Sequence, residues 1–548
     1  MRPAPAILGV APYEVARPPQ PIDLDLRGNE GARGPADDAP RPAEVHLRGY
    51  PDARPLEAAL AARLGSSAAQ VVVTAGADEA LDRVCRAVLC PGRVCLLPTP
   101  GFAMTTRYAA ATGCEVVSIP WDGEFPLSAM LEADDGRVAL VGITSPNNPT
   151  GAVVSPAQVA TLSEHFPDAV VLVDLAYVEY ADHDPTEELL RHPNVVVVRT
   201  FSKAWGLAGL RVGWAAGPAE VVRWIRAAGS PYPVSAWSLA TAESRLRRGV
   251  PADHVRQVRD ERGRITAALR EHGVAALDSG ANFVFARTPE AAWLHDGLAG
   301  LGIAVRGFEG AVRIGCPGDE PATQRLLHTL GAVLRPEAVL FDVDGVLVDV
   351  SGSYRRAIVE TAATFGVTVT PDDIRRIKAQ GGANDDWDVT WRLVGGSVGY
   401  DEVQRRFEQL YQGGLWRNER LRLPADALRR LARQVPIALV TGRPRADLER
   451  LLLEHGLADL SLVAVCREDG PNKPDPWPVA EALRRLGRSS AWMLGDTVDD
   501  VRAARAAGVV PIGVLAPGDT DPEPLVRAGA ARVWSDPSLA LPPRWSRP

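Results

Sequence analysis

The sequence predicts an α/β protein with largely parallel sheets, arranged as two successive domains. Up to about Gly331, short runs of β-branched residues alternate with longer amphipathic stretches, which is the pattern of strands connected by helices. Many of these runs are continuously apolar, as is typical of parallel strands buried on both faces. Near Pro336 the alternation starts again, and 548 residues exceed what one hydrophobic core usually supports.

The predicted elements of the first part follow one another in order. Strands are predicted over residues 71–73, 138–143, 170–173 and 195–198, with helices over 56–64 and 78–89. A last helix over residues 318–335 leaves little room for a linker. We therefore expect residues 1–334 to form the first domain.

The second part begins with a short apolar strand over residues 339–341 that ends in acidic residues. A helical block rich in arginine follows over about 353–433, and strands return at 437–440 and 492–494. We expect residues 335–548 to form a second α/β domain, in which the helical block is an insertion.

Composition excludes several classes of function. The net charge is −8 and no basic block is present, which argues against nucleic acid as a partner. No apolar run reaches the length of a membrane span. The six cysteines have neither metal-binding nor disulfide spacing, so we expect a reducing, cytoplasmic compartment.

Lysine is scarce in this chain. Of 60 basic residues only three are lysines, at positions 203, 378 and 473. Arginine does not lose its proton in proteins and forms no imine, so a lysine that persists under this bias is a candidate for chemistry. Lys378 lies in a predicted helix of the inserted block, and we expect it on a solvated helix face, with contact to the substrate as the less common alternative.

Lys203 follows a predicted strand and has polar neighbours. Thr200 and Ser202 flank it and Arg211 lies nearby. A lysine amine can bind the aldehyde of pyridoxal phosphate, while hydroxyls and an arginine hold the phosphate. On this segment alone, a surface loop explains the residues equally well.

Other strand ends carry groups that suit the same cofactor. Asp174 can pair with a pyridinium nitrogen, and Tyr177 and Asn148 can bond to the ring hydroxyl. Ala77 and Asp78 open a helix whose free backbone amides can receive a phosphate. Phe102 could stack on the ring, although a lone aromatic is more often part of a core. Polar clusters at the carboxyl ends of strands mark the place where open α/β sheets bind ligands.

As a set, these motifs resemble the fold-type I, pyridoxal-phosphate-dependent aminotransferases, specifically the histidinol-phosphate aminotransferase branch, over residues 22–335. The resemblance implies a mostly parallel, seven-stranded type of sheet with an additional small domain. Lys203 is the implied Schiff-base lysine. The implied contacts to the cofactor ring are Asp174, Asn148 and Tyr177. The implied ligands of the cofactor phosphate are Thr200, Ser202 and Arg211.

The resemblance extends to the substrate and to a second subunit. Tyr50 resembles the tyrosine that reaches the neighbouring subunit's cofactor phosphate, which implies a homodimer, and Arg313 resembles the arginine that grips the substrate carboxylate or its equivalent. Glutamate is the implied amino donor. The family's N-terminal segment is altered here, and Arg33 replaces an aromatic residue that approaches the substrate phosphate. Arg33 either holds that phosphate or is solvated surface.

The second domain carries acids, a hydroxyl and a lysine at its strand ends. Asp342 and Asp344 follow the first strand, at a spacing that lets one carboxylate attack phosphorus while the other protonates the leaving group. Thr441 follows the next strand, Lys473 adds a point charge, and further acids at Asp496 and Asp500 follow a third strand.

These pieces resemble the haloacid-dehalogenase-like phosphatases in kind and in order, over about residue 335 to the C-terminus. The resemblance implies a Rossmann-like core with a helical cap, Asp342 as nucleophile and Asp344 as acid/base. Thr441 and Lys473 would neutralise the phosphoryl group. The implied Mg²⁺ ligands are Asp342, Asp496 and the backbone carbonyl of Asp344, supported by Asp500.

Residues 381–387 are the most distinctive part of the expected cap. They either recognise the substrate or form a polar loop between helices, and such a loop is the commoner case. A non-catalytic phosphatase half is disfavoured, because every acid of the motifs and Lys473 are present.

Two enzymes fused with little linker suggest consecutive reactions on small molecules. Our leading hypothesis is transamination of imidazole-acetol phosphate by glutamate, followed by hydrolysis of histidinol phosphate to histidinol. One alternative keeps both reaction classes but uses another phosphorylated ketone of secondary metabolism. Another uses the first domain to decarboxylate a phosphorylated amino acid.

Overall fold

The computed structural model describes residues 17–30, 48–382, 385–395, 398–460 and 462–540. Within these ranges the chain is an α/β protein whose two large sheets are mainly or wholly parallel, so the predicted fold class is confirmed. No helix in the described part is both long and apolar enough to cross a membrane.

Elements of the first part of the chain alternate as the apolar runs predict. The strands are β1 (Leu24–Asp25), β2 (Val71–Thr74), β3 (Val94–Thr99), β4 (Glu115–Pro120), β5 (Val138–Thr144), β6 (Val170–Asp174), β7 (Val195–Thr200), β8 (Gly213–Ala216), β9 (Ala275–Ala276), β10 (Phe283–Arg287), β11 (Ile303–Ala304), β12 (Arg306–Phe308) and β13 (Ala311–Gly315). The helices are α1 (Arg54–Arg63), α2 (Gly76–Val88), α3 (Ala103–Ala111), α4 (Leu127–Glu132), α5 (Pro156–His165), α6 (Thr186–Leu189), α7 (Ala219–Ala227), α8 (Ala236–Arg248), α9 (Ala252–Glu271), α10 (Ala291–Gly300) and α11 (Glu320–Leu334).

A seven-stranded sheet dominates the first part, in the order β2-β8-β7-β6-β5-β3-β4. All neighbouring pairs are parallel except those of β8, which runs antiparallel to both β2 and β7. Every residue of β6 is buried, because helices cover both faces of a parallel sheet and valine side chains pack on either side. The carboxyl ends of β5, β6 and β7 therefore meet at one edge.

A smaller antiparallel sheet, in the order β12-β13-β10-β9, accompanies the large one. β13 is fully buried and lies between β12 and β10, with Arg313 paired in register with Phe285. This central position holds the Arg313 backbone rigidly.

The second part of the chain again alternates strands and helices. Its strands are β14 (Ala338–Phe341), β15 (Val348–Asp349), β16 (Arg420–Leu421), β17 (Ile437–Val440), β18 (Val463–Val465), β19 (Ala491–Gly495), β20 (Val510–Val514) and β21 (Arg532–Trp534). Its helices are α12 (Tyr354–Thr364), α13 (Pro371–Gln380), α14 (Asp386–Val394), α15 (Tyr400–Gln412), α16 (Ala425–Ala432), α17 (Arg445–Glu454), α18 (Trp477–Leu486), α19 (Val498–Ala506) and α20 (Glu523–Ala528).

Six of these strands form a wholly parallel sheet in the order β18-β17-β14-β19-β20-β21. β14 is central, with β17 on one side and β19 on the other, so the three acid- or hydroxyl-bearing loops leave the sheet side by side. The short antiparallel pair of β15 and β16 joins the chain entering and leaving helices α12–α15, which form the cap. Helix α16 follows this pair and leads into β17.

The chain divides into two compact units that are not simply consecutive. Within the described part, the first comprises residues 26–289 and 306–324, and the second comprises 17–25, 290–305 and 325–540. Helix α10 thus belongs to the second unit. Its Trp293 is buried, donates from Nε1 to the carbonyl of Val333 at 3.0 Å, and packs edge-on against Trp492 with ring centroids 4.7 Å apart.

Replacing Trp293 with alanine is expected to destabilise the second unit. The change empties a fully buried aromatic site and leaves the Val333 carbonyl without its donor, which typically costs about 3–5 kcal/mol of unfolding free energy. The denaturant midpoint of the second unit should fall accordingly. Trp237→Ala, at a half-exposed position of the first unit, is the matched control. Equal midpoints for the two variants would contradict this account of α10.

Candidate active sites

Lys203 lies just beyond the carboxyl end of β7, three residues after Thr200. Its Nζ atom donates to the carbonyl of Gly28 at 3.2 Å and stands 5.5 Å from the centre of the Tyr177 ring. The structure therefore brings together the lysine and the phenol that the sequence placed on different strands.

Asp174 is the last residue of β6 and is buried. Burial raises the pKa of its carboxyl to about 7, and the hydrogen bond from the Ala176 amide and the charge of Lys203 only partly oppose this. The amide nitrogen of Ala176 lies 3.0 Å from Oδ1. A buried carboxylate of this kind suits a cationic ring nitrogen, because the positive charge would offset the free-energy cost of ionising the carboxyl.

A cradle of hydroxyls and one guanidinium lies next to Lys203. The Thr200 and Ser202 hydroxyls are 2.9 Å apart, and Arg211 Nη1 donates to Ser202 Oγ at 3.3 Å. Arg211 has a φ of 52°, a left-handed conformation that is uncommon for a side chain of this size. Its Nη2 atom donates to Asp78 Oδ2 at 2.8 Å, so the arginine joins the cradle to the first turn of α2.

Gly76 fits the same cradle, because a Cβ atom there would stand 2.7 Å from Arg211 Nη2, and its φ is +83°. The amides of Ala77 and Asp78 follow it in the first turn of α2, where backbone N–H groups lack helical partners. This combination of hydroxyls, free amides and a cation is suited to a phosphate.

A cavity of about 400 Å³ opens beside Asp174. Phe102, which immediately precedes α3, lines it, as does Asn147. Sequence reasoning did not single out Asn147, which is buried and donates to the carbonyl of Pro100 at 2.9 Å and to Thr150 Oγ1 at 2.8 Å. Its position between Asn148 and a buried strand end was the available signal.

Arg313 reaches the same region from the smaller sheet. Its Nη1 atom donates to Asn148 Oδ1 at 2.5 Å, and its Nη2 atom donates to the carbonyl of Arg27 at 2.7 Å. The guanidinium lies over the Phe283 ring, with Cζ 5.2 Å from the ring centre. The predicted substrate arginine and the predicted ring-oxygen ligand are thus direct neighbours.

One predicted residue among those described, Tyr50, is not brought into this cluster. Tyr50 is 82% exposed, and its ring stacks on that of Tyr232 with centroids 4.5 Å apart. Arg33 lies outside the described residues, so its two alternatives stay open.

In the second part, Asp342 and Lys473 form a buried ion pair at the end of β14. Lys473 Nζ lies 2.7 Å from Asp342 Oδ1 and 2.5 Å from Asp500 Oδ1, and it donates to the carbonyl of Val440 at 3.0 Å. Burial raises the pKa of Asp342 well above its usual value, although Lys473 opposes this. The lysine is therefore held between the ends of β14 and β17 and the first turn of α19.

Asp342, Asp496 and Asp500 form a group that could hold a metal ion, each offering a carboxylate oxygen within 4.8 Å of the others. Burial and the nearby Asp500 raise the pKa of Asp496 to about 7. Gly345 permits this convergence, because its φ is +78° and a Cβ atom there would lie 2.0 Å from Asp496 Oδ2. Three hard oxygen ligands suit Mg²⁺.

Asp344 lies opposite an arginine that sequence reasoning missed. Arg443 Nη2 lies 2.5 Å from Asp344 Oδ1, and the amide of Arg443 donates to Thr441 Oγ1 at 3.1 Å. Thr441 is buried and follows Val440, whose carbonyl accepts a hydrogen bond from Lys473 Nζ. The residues 441–443 thus carry both a predicted phosphoryl ligand and an unpredicted partner of the acid/base residue.

The expectation that Lys378 lies on a solvated helix face is wrong. Its side chain is 15% exposed, and Nζ lies 2.8 Å from Asp386 Oδ1. Although burial opposes ionisation of Asp386, Lys378 and Arg355 hold its pKa below the usual value. Lys378, Arg355 and Asp496 line one cavity of about 310 Å³, because the face of α13 that carries Lys378 turns toward the core.

The described residues of the segment 381–387 contact Asp499 and Arg467 of the core. The Gly382 amide donates to Asp499 Oδ1 at 2.9 Å, and Asp385 pairs with Arg467 at 2.7 Å. The Arg467 guanidinium lies over the Trp387 ring, with Cζ 4.0 Å from its centre. In this structure the described residues of the segment therefore fasten the cap to the core.

Together the sites define an α/β enzyme with an aminotransferase-type lysine site and, after it, a carboxylate site of the phosphoryl-transfer type. The sequence model of the family "aminotransferase class I and II" matches residues 39–330, and that of "haloacid dehalogenase-like hydrolase" matches residues 336–508. The chain belongs to the class I and II aminotransferases and carries a haloacid dehalogenase-like hydrolase domain. Both resemblances are confirmed at the level of the family.

Several known proteins are similar to this chain. Histidinol-phosphate aminotransferase of Ruegeria sp. (strain TM1040) is 37% identical over 319 residues, covering 54% of this chain and 87% of that protein. The crystal structure of histidinol-phosphate aminotransferase from Sinorhizobium meliloti with pyridoxal-5′-phosphate has a TM-score of 0.55 and 27% identity, covering 61% of this chain and 98% of that one.

A further relative matches a shorter stretch. Imidazoleglycerol-phosphate dehydratase of Phytophthora nicotianae is 47% identical over 197 residues, covering 33% of this chain. The match spans 44% of that protein, so this chain covers less than half of that relative's length.

Proposed function

We propose that this chain transfers an amino group from glutamate to imidazole-acetol phosphate and then hydrolyses the resulting histidinol phosphate to histidinol. Residues 1–334 would carry the first reaction and residues 335–548 the second. The observation that carries the proposal is the buried Lys473–Asp342 pair, which suits phosphoryl transfer and lies in a chain that also has an aminotransferase domain. The names of two relatives support the substrate, since both denote phosphorylated imidazole compounds.

The residues of the first site fit pyridoxal 5′-phosphate. The buried Asp174 carboxylate suits its ring nitrogen, and the cradle at Arg211 suits its phosphate. The adjacent cavity has room for its ring. When bound, this cofactor supplies an electron sink for the negative charge that develops at the substrate Cα. Lys203 Nζ would hold the cofactor and move the proton at Cα. Asn148 and Tyr177 would orient the ring, and Phe102 would cover one face.

Arg313 would orient the substrate. Its guanidinium already spans Asn148 and the carbonyl of Arg27, so a bound carboxylate or its equivalent would meet a donor fixed in place. The exposed Tyr50 is available to a second copy of the chain, which supports a homodimer in which it contacts the partner's phosphate. The six cysteines are free thiols, which suits the cytoplasm.

In the second site Asp342 would attack phosphorus while Asp344 protonates the departing alcohol oxygen. Thr441 and Lys473 would stabilise the charge on the transferring phosphoryl group, and Asp344 would then take a proton from the water that hydrolyses the acyl phosphate. The phosphate-ester bond breaks, the alcohol leaves with one proton, and water restores the Asp342 carboxylate.

Asp342, Asp496 and the Asp344 carbonyl would hold Mg²⁺, with Asp500 in support. Their hard oxygen donors fit this ion, which would offset the negative charge that gathers at the phosphoryl group.

Cation binding at this site is predicted to weaken as the pH falls through about 7. Asp496 has a pKa of about 7 without a cation, so below that pH a cation must displace a proton, whereas above it the carboxylate is already ionised. Calorimetric titration of metal-free protein with Mg²⁺ should show an affinity about tenfold lower at about pH 6 than at about pH 8. Asp496→Asn should bind weakly at both pH values. A wild-type affinity that does not change with pH would contradict the assignment.

Fusion of the two reactions has a thermodynamic reason. Transamination exchanges one C–N bond for another and lies near equilibrium, whereas hydrolysis of a phosphate ester in water is downhill. A phosphatase that consumes the amino product therefore draws the first reaction forward.

A substrate panel tests the proposal. The enzyme should convert imidazole-acetol phosphate with glutamate and hydrolyse histidinol phosphate with higher kcat/KM than phosphorylated ketones and amines without an imidazole. If another pair is preferred, the alternative with a different phosphorylated substrate holds. Release of CO₂ from a phosphorylated amino acid without an amino acceptor would instead identify a decarboxylase. Failure on all imidazole substrates would overturn the proposal.

A further inference from the structure

We propose that Arg443 is a positioning residue of the hydrolase reaction, which ties the acid/base carboxylate of Asp344 to the cap through Glu419. This inference rests on the proposed function, in that Asp344 is taken as the acid/base residue.

The active-site side of Arg443 is a charge-assisted contact to Asp344. Nε and Nη2 lie 2.6 Å and 2.5 Å from the same oxygen, Oδ1. The Arg443 side chain is 1% exposed, whereas that of Asp344 is 26% exposed and so opens toward the site. Because the arginine holds Oδ1, Oδ2 is the atom that would meet the oxygen of a leaving group.

The other side of Arg443 contacts the cap and the residue that precedes β16, the strand that follows the cap. Nη1 and Nη2 donate to the two carboxylate oxygens of Glu419, both at 3.0 Å, and Glu419 immediately precedes β16. The hydroxyl of Tyr411, near the end of α15, donates to Glu419 Oε1 at 3.1 Å. The ring of Tyr354, at the start of α12, lies 4.8 Å from the Arg443 Cζ atom.

The choice of arginine follows from this geometry. A planar fork can hold two carboxylates on different edges at once, which a lysine ammonium does with less directional control. A buried guanidinium is stable only when it is paired, and here both partners are carboxylates. Pairing with Glu419 alone would be enough for an arginine with a purely structural role. The second contact is to Asp344, two residues from the proposed nucleophile, and this contact indicates a role in the reaction.

The inference predicts an effect that depends on the leaving group. Histidinol phosphate releases an alkoxide that must be protonated as it departs, whereas p-nitrophenyl phosphate releases a stable phenolate. Since kcat/KM reports the steps through leaving-group departure, Arg443→Met should lower kcat/KM for histidinol phosphate about a hundredfold or more. For p-nitrophenyl phosphate the loss should be several-fold at most, and KM for both esters should change little.

Arg443→Lys and Glu419→Gln extend the test. Arg443→Lys keeps the charge but loses the fork, so it should show the same preference for the better leaving group with a smaller loss, and it decides the matter if Arg443→Met does not fold. Glu419→Gln keeps Asp344 bound but weakens the link to the cap, and should fall between wild type and Arg443→Lys. Arg445→Met, which removes a 43% exposed arginine nearby, should leave both rates unchanged.

The outcomes are distinguishable from failure of the proposed function. If the wild-type chain hydrolyses p-nitrophenyl phosphate but not histidinol phosphate, the substrate is wrong, and β-glycerol phosphate replaces histidinol phosphate in the comparison. Equal losses for both esters in Arg443→Met and Arg443→Lys, with transamination retained, would overturn the role of Arg443.

Discussion

Replacing Lys203 with arginine is expected to abolish transamination while leaving hydrolysis of histidinol phosphate intact. Arginine keeps the positive charge and much of the length, but it cannot lose its proton to bind the cofactor aldehyde or carry the proton at Cα. The rate of transamination should fall by at least about a thousandfold. The measurement is the formation of 2-oxoglutarate from glutamate and imidazole-acetol phosphate.

A second readout does not depend on activity. Borohydride treatment of the wild-type protein incubated with pyridoxal phosphate should fix the cofactor on the peptide that contains residue 203, and peptide mass spectrometry should find none on the arginine variant. Retained hydrolysis serves as the control for the fold of the second unit. Fixation on a different lysine, Lys378 or Lys473, would contradict the assignment.

Replacing Asp342 with asparagine is expected to abolish phosphate release and spare transamination. The amide has nearly the same shape but is a poor nucleophile, and the change also removes one of the two carboxylates that pair with Lys473 and one charged ligand of the proposed cation site. Hydrolysis should fall by at least about a thousandfold, and histidinol phosphate should accumulate.

Asp349→Asn is the matched control for this variant. Asp349 lies in the same stretch of chain but accepts a hydrogen bond from the Ser351 amide at 2.9 Å and has no contact with Lys473. It should hydrolyse histidinol phosphate like the wild type. If Asp342→Asn releases phosphate at an undiminished rate, Asp342 is not the nucleophile.

The strand-end residues were predictable from the sequence for a topological reason. Asp174 ends β6, and Lys203 lies just beyond the end of β7, its parallel neighbour. Asp342, Thr441 and Asp496 each immediately follow a strand of the second sheet. Because the carboxyl ends of parallel strands lie at one edge, identifying the strands is enough to bring their polar ends together. The order of the strands in the sheet was not needed.

Arg443 was missed because its environment depends on distant residues. Arginine is usually exposed, and the local sequence marks only Thr441 as polar and near the site. One of the two carboxylates that make the burial of Arg443 possible is Glu419, which lies beyond the end of the cap helices. The sequence around Arg443 therefore gives no indication that it pairs with Glu419.

Lys378 and Trp293 show that the packing partners of a residue likewise cannot be predicted from its local sequence. Periodicity correctly predicts a helix around Lys378, but whether its face meets solvent or Asp386 is determined by how the cap lies on the core. Trp293 is largely apolar, which favours burial, but the residue it packs against, Trp492, lies in a strand far along the chain. The role of Tyr50 depends on a second subunit and stays a prediction.

The most direct test of a two-step enzyme is a single reaction with the wild-type protein, pyridoxal phosphate, Mg²⁺, glutamate and imidazole-acetol phosphate, followed by proton and phosphorus NMR. The account predicts 2-oxoglutarate, histidinol and inorganic phosphate in equal amounts at completion, with histidinol phosphate as a transient species. Phosphate released without histidinol, or no consumption of the ketone, would contradict it.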